Sequence, residues 1–210
     1  MLIVNYKAYS KAIGEKSEEL TRKIEEGAED AEVVICPQTA DLNRIDTELK
    51  IFAQHVDGVD TGSHTGSNQA KAVKEVGATG TLINHSERRL EEGEIRESVE
   101  KCREEDLTTV VCAQSPEECE RYAEFEPDYI AFEPPELIGG DTSVSTAEPE
   151  IVEEAVKKSG KIDTLTGAGI KSREDVEKSI ELGCEGVLIA SGVIKSEDTK
   201  SKVEELCRGL

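Results

Sequence analysis

Eight short apolar runs alternate with charged segments along this chain, and that alternation restricts the possible folds more than any other feature of the sequence. Between most of the runs, polar and apolar residues repeat with the period of an α-helix, at residues 17–26, 95–105, 150–158, 172–182 and 200–206. Continuous apolar strands separated by amphipathic helices are typical of a parallel sheet that is covered by helices. We interpret the runs as strands at residues 2–4, 33–36, 51–53, 81–83, 109–112, 129–132, 162–165 and 187–190.

Eight strand–helix units in a chain of 210 residues predict an α/β protein, a single (β/α)8 barrel of the TIM-barrel type with eight parallel strands. No segment has the composition of a linker, so we expect residues 1–210 to form one domain. Ser115 and Ser172 each place a capping hydroxyl ahead of acidic residues, directly after the fifth and seventh runs, where a helix should begin. An open, doubly wound sheet is the alternative architecture for the same pattern.

An excess of acidic residues limits the partners that the surface can attract. The chain has 46 acidic and 25 basic residues and a net charge of −21, which argues against binding to nucleic acid or to anionic membrane surfaces. No apolar run approaches the ~20 residues of a membrane span, and the N-terminus lacks the features of a signal peptide, so we expect a cytoplasmic protein. An acidic coat also suits a salt-rich cytoplasm, because salt screens the repulsion between like charges. A halophilic source is therefore a hypothesis.

The cysteines do not form a recognisable metal site or disulfide framework. All six are scattered, without a Cys-x-x-Cys pair and without a cluster that includes the three histidines. We therefore expect reduced thiols and no bound metal.

Reactive side chains follow three of the predicted strands. In a parallel barrel the functional groups lie at the carboxyl ends of the strands. The first run leads into Asn5, Tyr6 and Lys7, the fourth leads to His85, and the sixth leads to Glu133. An ammonium, an imidazole and a carboxylate supply a positive charge, an electrophile and a base, which proton abstraction next to a carbonyl group requires. A lone lysine or histidine at a strand end is more often part of a salt bridge, so the prediction depends on all three together.

Glycine-rich turns follow the last three predicted strands. Backbone N–H groups in the turns at residues 167–170 and 190–193 would form the phosphate site that is typical of this barrel. A dinucleotide-binding fingerprint does not fit, because Ser172 stands where its third glycine would be. After Glu133, residues 137–143 join an apolar tip to two glycines, which suits a lid that closes over the site and excludes water.

Four segments together resemble the triosephosphate isomerase family, in its short archaeal form, and the resemblance runs along nearly the whole chain. It implies an intramolecular aldose–ketose isomerase that works without a cofactor. Such an enzyme interconverts dihydroxyacetone phosphate and D-glyceraldehyde 3-phosphate by proton transfer through an enediol(ate), in glycolysis and gluconeogenesis. The segments are Asn5-Tyr6-Lys7, Asn84-His85-Ser86-Glu87-Arg88-Arg89, Ala131-Phe132-Glu133-Pro134 with Ile138-Gly139, and Gly186-Val187-Leu188-Ile189-Ala190-Ser191.

The family resemblance also implies roles for individual residues. Glu133 would be the base that moves a proton between C1 and C2, His85 the neutral electrophile, and Lys7 the charge that stabilises developing negative charge. Hydrogen-bond donors at the start of residues 86–89 would favour a neutral His85. Glu87 and Ser86 would lie near Lys7 and His85. The substrate would be contacted by Asn5, Tyr6, Lys7, Ile138, Gly139, Gly167, Gly169, Ala190 and Ser191.

A long connection after the third predicted strand resembles the family's interdigitating loop, which enters a neighbouring subunit. By that resemblance Thr65 would lie at an interface, and the chain would form a homo-oligomer, a tetramer in preference to a dimer. The chain departs from the commonest family pattern in two places. Pro135-Glu136-Leu137 stands in place of a Val-Trp-Ala lid hinge, and Gly167-Ala168-Gly169 stands in place of a Gly-Gly-Ser turn.

Two other functions are compatible with the same barrel. Aldolases and sugar-phosphate epimerases share the phosphate site, but they would place a Schiff-base lysine or a metal cluster on the inner strands. A catalytically silent barrel that serves as a scaffold would be expected to lack Lys7, His85 or Glu133, and this chain has all three.

Overall fold

The computed structural model describes residues 1–135 and 143–210, and its strands form a closed parallel barrel. Each strand pairs with the next one in the chain, and the eighth pairs with the first. The predicted (β/α)8 architecture is therefore confirmed, and the open doubly wound sheet is excluded because the eighth strand pairs with the first and closes the barrel. The strands are β1 (Leu2–Asn5), β2 (Val33–Cys36), β3 (Lys50–Ala53), β4 (Gly80–Ile83), β5 (Thr108–Ala113), β6 (Tyr129–Phe132), β7 (Asp163–Thr166) and β8 (Gly186–Ile189).

Helices cover the outside of the barrel. Two short 3₁₀ segments, Ser10–Ala12 and Thr39–Arg44, follow β1 and β2. The α-helices among the described residues are α1 (Glu15–Ala28), α2 (Ala70–Glu75), α3 (Glu92–Glu104), α4 (Pro116–Ala123), α5 (Val144–Ala147), α6 (Pro149–Ser159), α7 (Arg173–Glu181), α8 (Ser191–Ile194) and α9 (Thr199–Cys207). No helix in residues 1–135 or 143–210 is both long and apolar enough to cross a membrane.

The apolar strands are buried on both faces because alternate side chains point into the barrel and out toward the helices. Inside the barrel, every strand contributes to one apolar cluster, separate from the larger cluster beneath the helices. Gly80 on β4 makes room for Phe52 on β3, since a Cβ atom at residue 80 would lie 2.6 Å from the phenyl ring. The inner cluster comprises Ile3, Val34, Cys36, Phe52, Leu82, Val110, Cys112, Ala131, Leu165 and Leu188.

Both predicted helix caps are present. Ser115 Oγ accepts a hydrogen bond from the N–H of Glu118, and Ser172 Oγ accepts one from the N–H of Asp175. These bonds satisfy N–H groups that a helix leaves unpaired in its first turn. The two helices therefore begin after β5 and β7, as the βα pattern requires.

Several strand boundaries differ from the prediction by one residue, and hydrogen bonding explains two of these differences. The N–H of Ile162 donates to the carbonyl of Ser159, so residue 162 closes the turn after α6 and the strand begins at residue 163. The carbonyl of Ala190 accepts from the N–H groups of Val193 and Ile194, so Ala190 caps α8 and β8 ends at Ile189. Hydrophobicity does not distinguish these residues from strand residues.

Candidate functional site

The carboxyl ends of the strands surround a cavity of about 260 Å³, which most of the predicted site residues line. Tyr9 and Lys171 also line the cavity, and sequence reasoning identified neither of them. Ile170, from the predicted turn at residues 167–170, lines it as well. The predicted residues that the fold brings together here are Asn5, Lys7, His85, Glu87, Glu133, Gly167, Gly169, Ala190 and Ser191.

Glu133 follows β6 directly and is buried, with 4% of its surface exposed. Its N–H donates to the carbonyl of Ala113, which extends the pairing of β5 and β6 and fixes the start of the side chain. Among the described residues, Glu133 Oε2 is buried and has no hydrogen-bond partner. Burial raises the pKa of Glu133 above its ordinary value, and the nearby charge of Lys7 offsets part of that rise. The carboxylate is therefore a stronger base than an exposed glutamate.

His85 is held as a neutral imidazole beside this carboxylate. Its Nδ1 atom accepts a hydrogen bond from the backbone N–H of Glu87 at 3.2 Å. Because a backbone N–H can only donate, Nδ1 carries no proton and the ring proton lies on Nε2. Nε2 is 3.8 Å from Oε1 of Glu133, which is too long for a hydrogen bond. A proton donor and a base thus border the same space without being bonded to each other.

Lys7 has a left-handed backbone conformation, with a φ of 46°. Its N–H donates to Asn5 Oδ1 at 3.0 Å, and its ammonium forms an ion pair with Glu87 Oε1 at 2.9 Å. Its carbonyl accepts hydrogen bonds from the side-chain amides of Gln38 and Gln54. Sequence reasoning missed both glutamines. Each closely follows a predicted strand, so a search for polar side chains at the carboxyl ends of the strands would have found them.

The glycine turn after β7 packs against the side chain of Glu133. A Cβ atom at Gly167 would collide with Cγ of Glu133, so only glycine leaves room for the carboxylate in this position. The N–H of Gly167 donates to the carbonyl of Phe132 inside the protein. A backbone contact between Gly167 and phosphate stays a prediction from the family resemblance. Within residues 1–135 and 143–210, the N–H groups of Gly169 and Ser191 have no acceptor.

Tyr6 lies away from the cavity. The alternation of side chains along β1 places Tyr6 under α1, where it is fully buried and its hydroxyl bonds to Thr21 Oγ1 at 2.8 Å. Its hydroxyl therefore points away from the cavity, and a contact of Tyr6 with substrate stays a prediction from the family resemblance. Ser86 does not line the cavity either, and its buried hydroxyl has no hydrogen-bond partner among the described residues.

The remaining predicted site residues lie in other parts of the chain. Ile138 and Gly139 lie outside the described residues. Thr65 lies in an exposed loop between β3 and α2 and does not line the cavity. The two ends of that loop are tied together, because Asp57 Oδ2 accepts from the N–H of Asn68 at 2.7 Å. In the described part of the chain, no group of three or more His, Cys, Asp and Glu side chains could hold a metal ion.

Known proteins are similar to this chain in sequence and in fold. A profile of the family described as "Triosephosphate isomerase" matches residues 1–208. The triosephosphate isomerase of Archaeoglobus fulgidus is 46% identical over 98% of this chain and 96% of its own length. That of Methanothermus fervidus is 42% identical over 98% of this chain and 96% of its own length. The crystal structure of triosephosphate isomerase from Bartonella henselae matches with a TM-score of 0.75, covering 99% of this chain and 96% of that one at 21% identity, which shows the fold.

Proposed function

Because the chain belongs to the triosephosphate isomerase family, we propose that its barrel interconverts dihydroxyacetone phosphate and D-glyceraldehyde 3-phosphate, a step of glycolysis and gluconeogenesis. One observation carries the assignment of the chemistry. A buried carboxylate with a raised pKa, Glu133, lies 3.8 Å from the proton-bearing nitrogen of a neutral imidazole, His85, in a cavity that also contains the ammonium of Lys7.

The proposed reaction moves two protons and needs no cofactor. Glu133 removes a proton from C1 of dihydroxyacetone phosphate, while Nε2–H of His85 donates to the carbonyl oxygen at C2, and an enediol(ate) forms. Glu133 then returns a proton to C2, and His85 transfers the hydroxyl proton between O2 and O1, so the aldehyde forms at C1. The ammonium of Lys7 stabilises the negative charge on the oxygens during both steps.

We propose that the phosphate group lies against the turns that follow β7 and β8. The unpaired N–H groups of Gly169 and Ser191 support this position, because backbone donors bind an anion without adding charge to the protein. Lys171 lines the same side of the cavity. The contacts of Ile138 and Gly139 with phosphate stay a prediction from the family resemblance.

The proposed reaction is tested by adding dihydroxyacetone phosphate to the protein in D₂O. We expect glyceraldehyde 3-phosphate that carries deuterium at C2, because a proton on Glu133 exchanges with solvent before it returns to carbon. An aldol product or an epimerised sugar phosphate would favour the other phosphate-binding barrels. No product and no deuterium incorporation, at both low and high salt, would favour a catalytically silent scaffold.

Replacing Gly167 by Ala should lower kcat at least about tenfold, because a misplacement of about 1 Å at a reacting group can cost ~10²-fold. The added methyl group would collide with Cγ of Glu133 and displace the base. Gly93→Ala is the matched control, since a Cβ atom there meets nothing within 4 Å. Steady-state kinetics of the two variants test this, and equal kcat values would show that the carboxylate does not depend on the space at residue 167.

We propose that the protein is a homo-oligomer, a tetramer in preference to a dimer. Residues 60–66 are exposed on a loop whose ends are held by Asp57, and a cavity of about 440 Å³ opens beside the catalytic residues. Lys7 and His85 line that cavity, as does Gln54. The exposed loop on one copy and the open cavity on another copy support the proposal that each subunit's loop completes the site of its neighbour.

Thr65→Arg should lower both the molar mass of the assembly in solution and its activity. A long charged side chain at the loop tip would be buried without a partner in the interface between subunits. Thr65→Ser keeps the hydroxyl and serves as the control. Light scattering with kinetics at several protein concentrations measures both effects. An Arg variant with unchanged mass would contradict the interface proposal.

The proposed setting is the cytoplasm of a salt-rich archaeal cell, and one (β/α)8 domain is the proposed functional unit. The net charge of −21 supports the salt-rich setting, because self-repulsion of that size is relieved by screening. The free energy of unfolding should therefore rise with KCl concentration, and a flat dependence would count against the halophilic hypothesis.

A further inference from the structure

The backbone of Lys7 is held in a conformation that a lysine rarely adopts. A positive φ brings the Cβ atom of an L-residue close to its own backbone, and such conformations persist where surrounding contacts compensate for the strain. β1 ends at Asn5, so the strand ladder does not constrain the φ and ψ angles of Lys7. The conformation must be maintained by other contacts at its two peptide groups.

Side chains from three strand ends supply those contacts. On the amino side, Asn5 Oδ1 accepts from the N–H of Lys7 at 3.0 Å. On the carboxyl side, the carbonyl accepts from Nε2 of Gln38 at 3.1 Å and from Nε2 of Gln54 at 3.0 Å. A carbonyl oxygen has two lone pairs, so the two amides complete its hydrogen bonding.

The two glutamines are not equivalent. Gln54 also donates to the carbonyl of Cys36 at 2.9 Å and so connects β3 to β2. Within residues 1–135 and 143–210, the side chain of Gln38 makes one hydrogen bond, to Lys7. Its own backbone is fixed independently, since it caps the 3₁₀ segment Thr39–Arg44 and its carbonyl accepts from the N–H of Asp41. The backbone of Gln38 is therefore fixed, and among the described residues its side-chain amide donates to the carbonyl of Lys7 alone.

We propose that Gln38 is a positioning residue that keeps Lys7 in its left-handed conformation and thereby keeps the ammonium in the catalytic cavity. Without this donor, the Lys7 peptide group rotates toward a more common φ, and the ammonium leaves Glu87 and the substrate. This inference rests on the proposed function in one respect, that the charge of Lys7 acts on the substrate. A neutral amide suits the task, because a carboxylate here would repel the carbonyl and a lysine would add a second charge beside the first.

The experiment is a double-mutant cycle between Gln38→Leu and Lys7→Met, measured as kcat/KM. Gln38→Leu should lower kcat/KM about 3- to 10-fold, the equivalent of one lost hydrogen bond of ~0.5–1.5 kcal/mol. The loss should lie mainly in KM, because the charge of Lys7 acts on bound substrate as well as on the transition state. In the Lys7→Met background the same replacement should change kcat/KM less than about 1.5-fold, because the group that Gln38 positions is gone.

Three further measurements separate a positioning role of Gln38 from an effect on folding. Gln114 also follows a strand, and its side chain makes no hydrogen bond within the described residues, so Gln114→Leu should leave the kinetics unchanged. The affinity of each variant for inorganic phosphate provides a readout without turnover, and Gln38→Leu should weaken it by the same factor as KM. Thermal unfolding and light scattering should show unchanged Tm and mass for Gln38→Leu.

Each outcome of the double-mutant cycle supports or overturns the positioning role of Gln38. Equal effects of Gln38→Leu in both backgrounds, or a changed mass or Tm that accounts for the loss, would overturn the positioning role while the proposed function stands. Full activity of Lys7→Met would instead remove Lys7 from the proposed mechanism, and the inference about Gln38 would fall with it.

Discussion

Glu133→Gln should lower kcat by at least about 10²-fold, the lower end of the range for general acid–base catalysis. Glutamine keeps the size and the hydrogen-bonding shape of the side chain but cannot accept a proton from carbon. Glu124→Gln is the matched control, because Glu124 is exposed at the end of α4 and does not line the cavity. Steady-state kinetics in both reaction directions measure the effect, and near-normal turnover in Glu133→Gln would remove this residue from the role of base.

The same replacement should make the protein more stable at neutral pH. Burial raises the pKa of Glu133 above its ordinary value. Below the ordinary value the carboxyl is protonated in both the folded and the unfolded chain, so its ionisation has no effect on stability. As pH rises through the raised pKa, folding must bury a charge, and the free energy of unfolding falls. Glutamine does not titrate, so this loss disappears.

Two further measurements test whether the pKa of Glu133 is raised. The acid side of the wild-type profile of kcat/KM against pH should be displaced above the ordinary glutamate value and should be absent from the residual activity of Glu133→Gln. The Tm difference between the two proteins should be largest at neutral pH and vanish in acid. A variant that is less stable at neutral pH would show that the carboxylate contributes to folding and is not a strained catalytic group.

His85→Leu should lower kcat about 10²- to 10³-fold, the effect of removing one preorganised donor from a site of developing negative charge. Leucine fills a similar space but has no proton for the carbonyl oxygen, and it leaves the N–H of Glu87 without its acceptor. KM should change less, because a neutral donor contributes more to the charged transition state than to the neutral carbonyl.

His85→Gln separates the donor role from the packing role of this side chain. A glutamine amide donates a hydrogen bond to the substrate, so this variant should lose less activity than His85→Leu. Both variants should exchange the C1 proton of dihydroxyacetone phosphate with D₂O in proportion to their kcat. If the two replacements cost the same, the Nε2 proton of His85 is not what polarises the carbonyl.

Much of the proposed catalytic set could be located from the sequence because one rule connects local sequence to position in this fold. Lys7, His85 and Glu133 each follow a run that becomes a strand, and parallel strands bring their carboxyl ends to one face. Tyr6 follows the same rule and yet faces α1, since neighbouring residues point in opposite directions where a strand ends. The rule identifies a face of the barrel and does not identify the direction of a side chain.

For Gly167, the sequence predicts the glycine-rich turn but not what the glycine does in it. Its place in a glycine-rich turn predicted a phosphate donor, but its N–H pairs with Phe132 and its missing side chain makes room for Glu133. Both facts depend on β6 and β7 being neighbours in the closed barrel. A glycine in a turn has the same appearance in the sequence whether it binds a ligand or accommodates another residue.

The sequence by itself therefore determined the alternation of strands and helices and the chemical groups at the strand ends, because hydrophobic period and strand-end position are local properties. Only the tertiary structure decided how these groups work. The burial that raises the pKa of Glu133, the backbone N–H that keeps His85 neutral, and the two amides that hold the carbonyl of Lys7 require exact distances and surroundings. Gln54 lies 47 residues from Lys7, and Glu87 lies 80 residues from it. Closure of the barrel brings such distant residues into contact, and no local pattern encodes that contact.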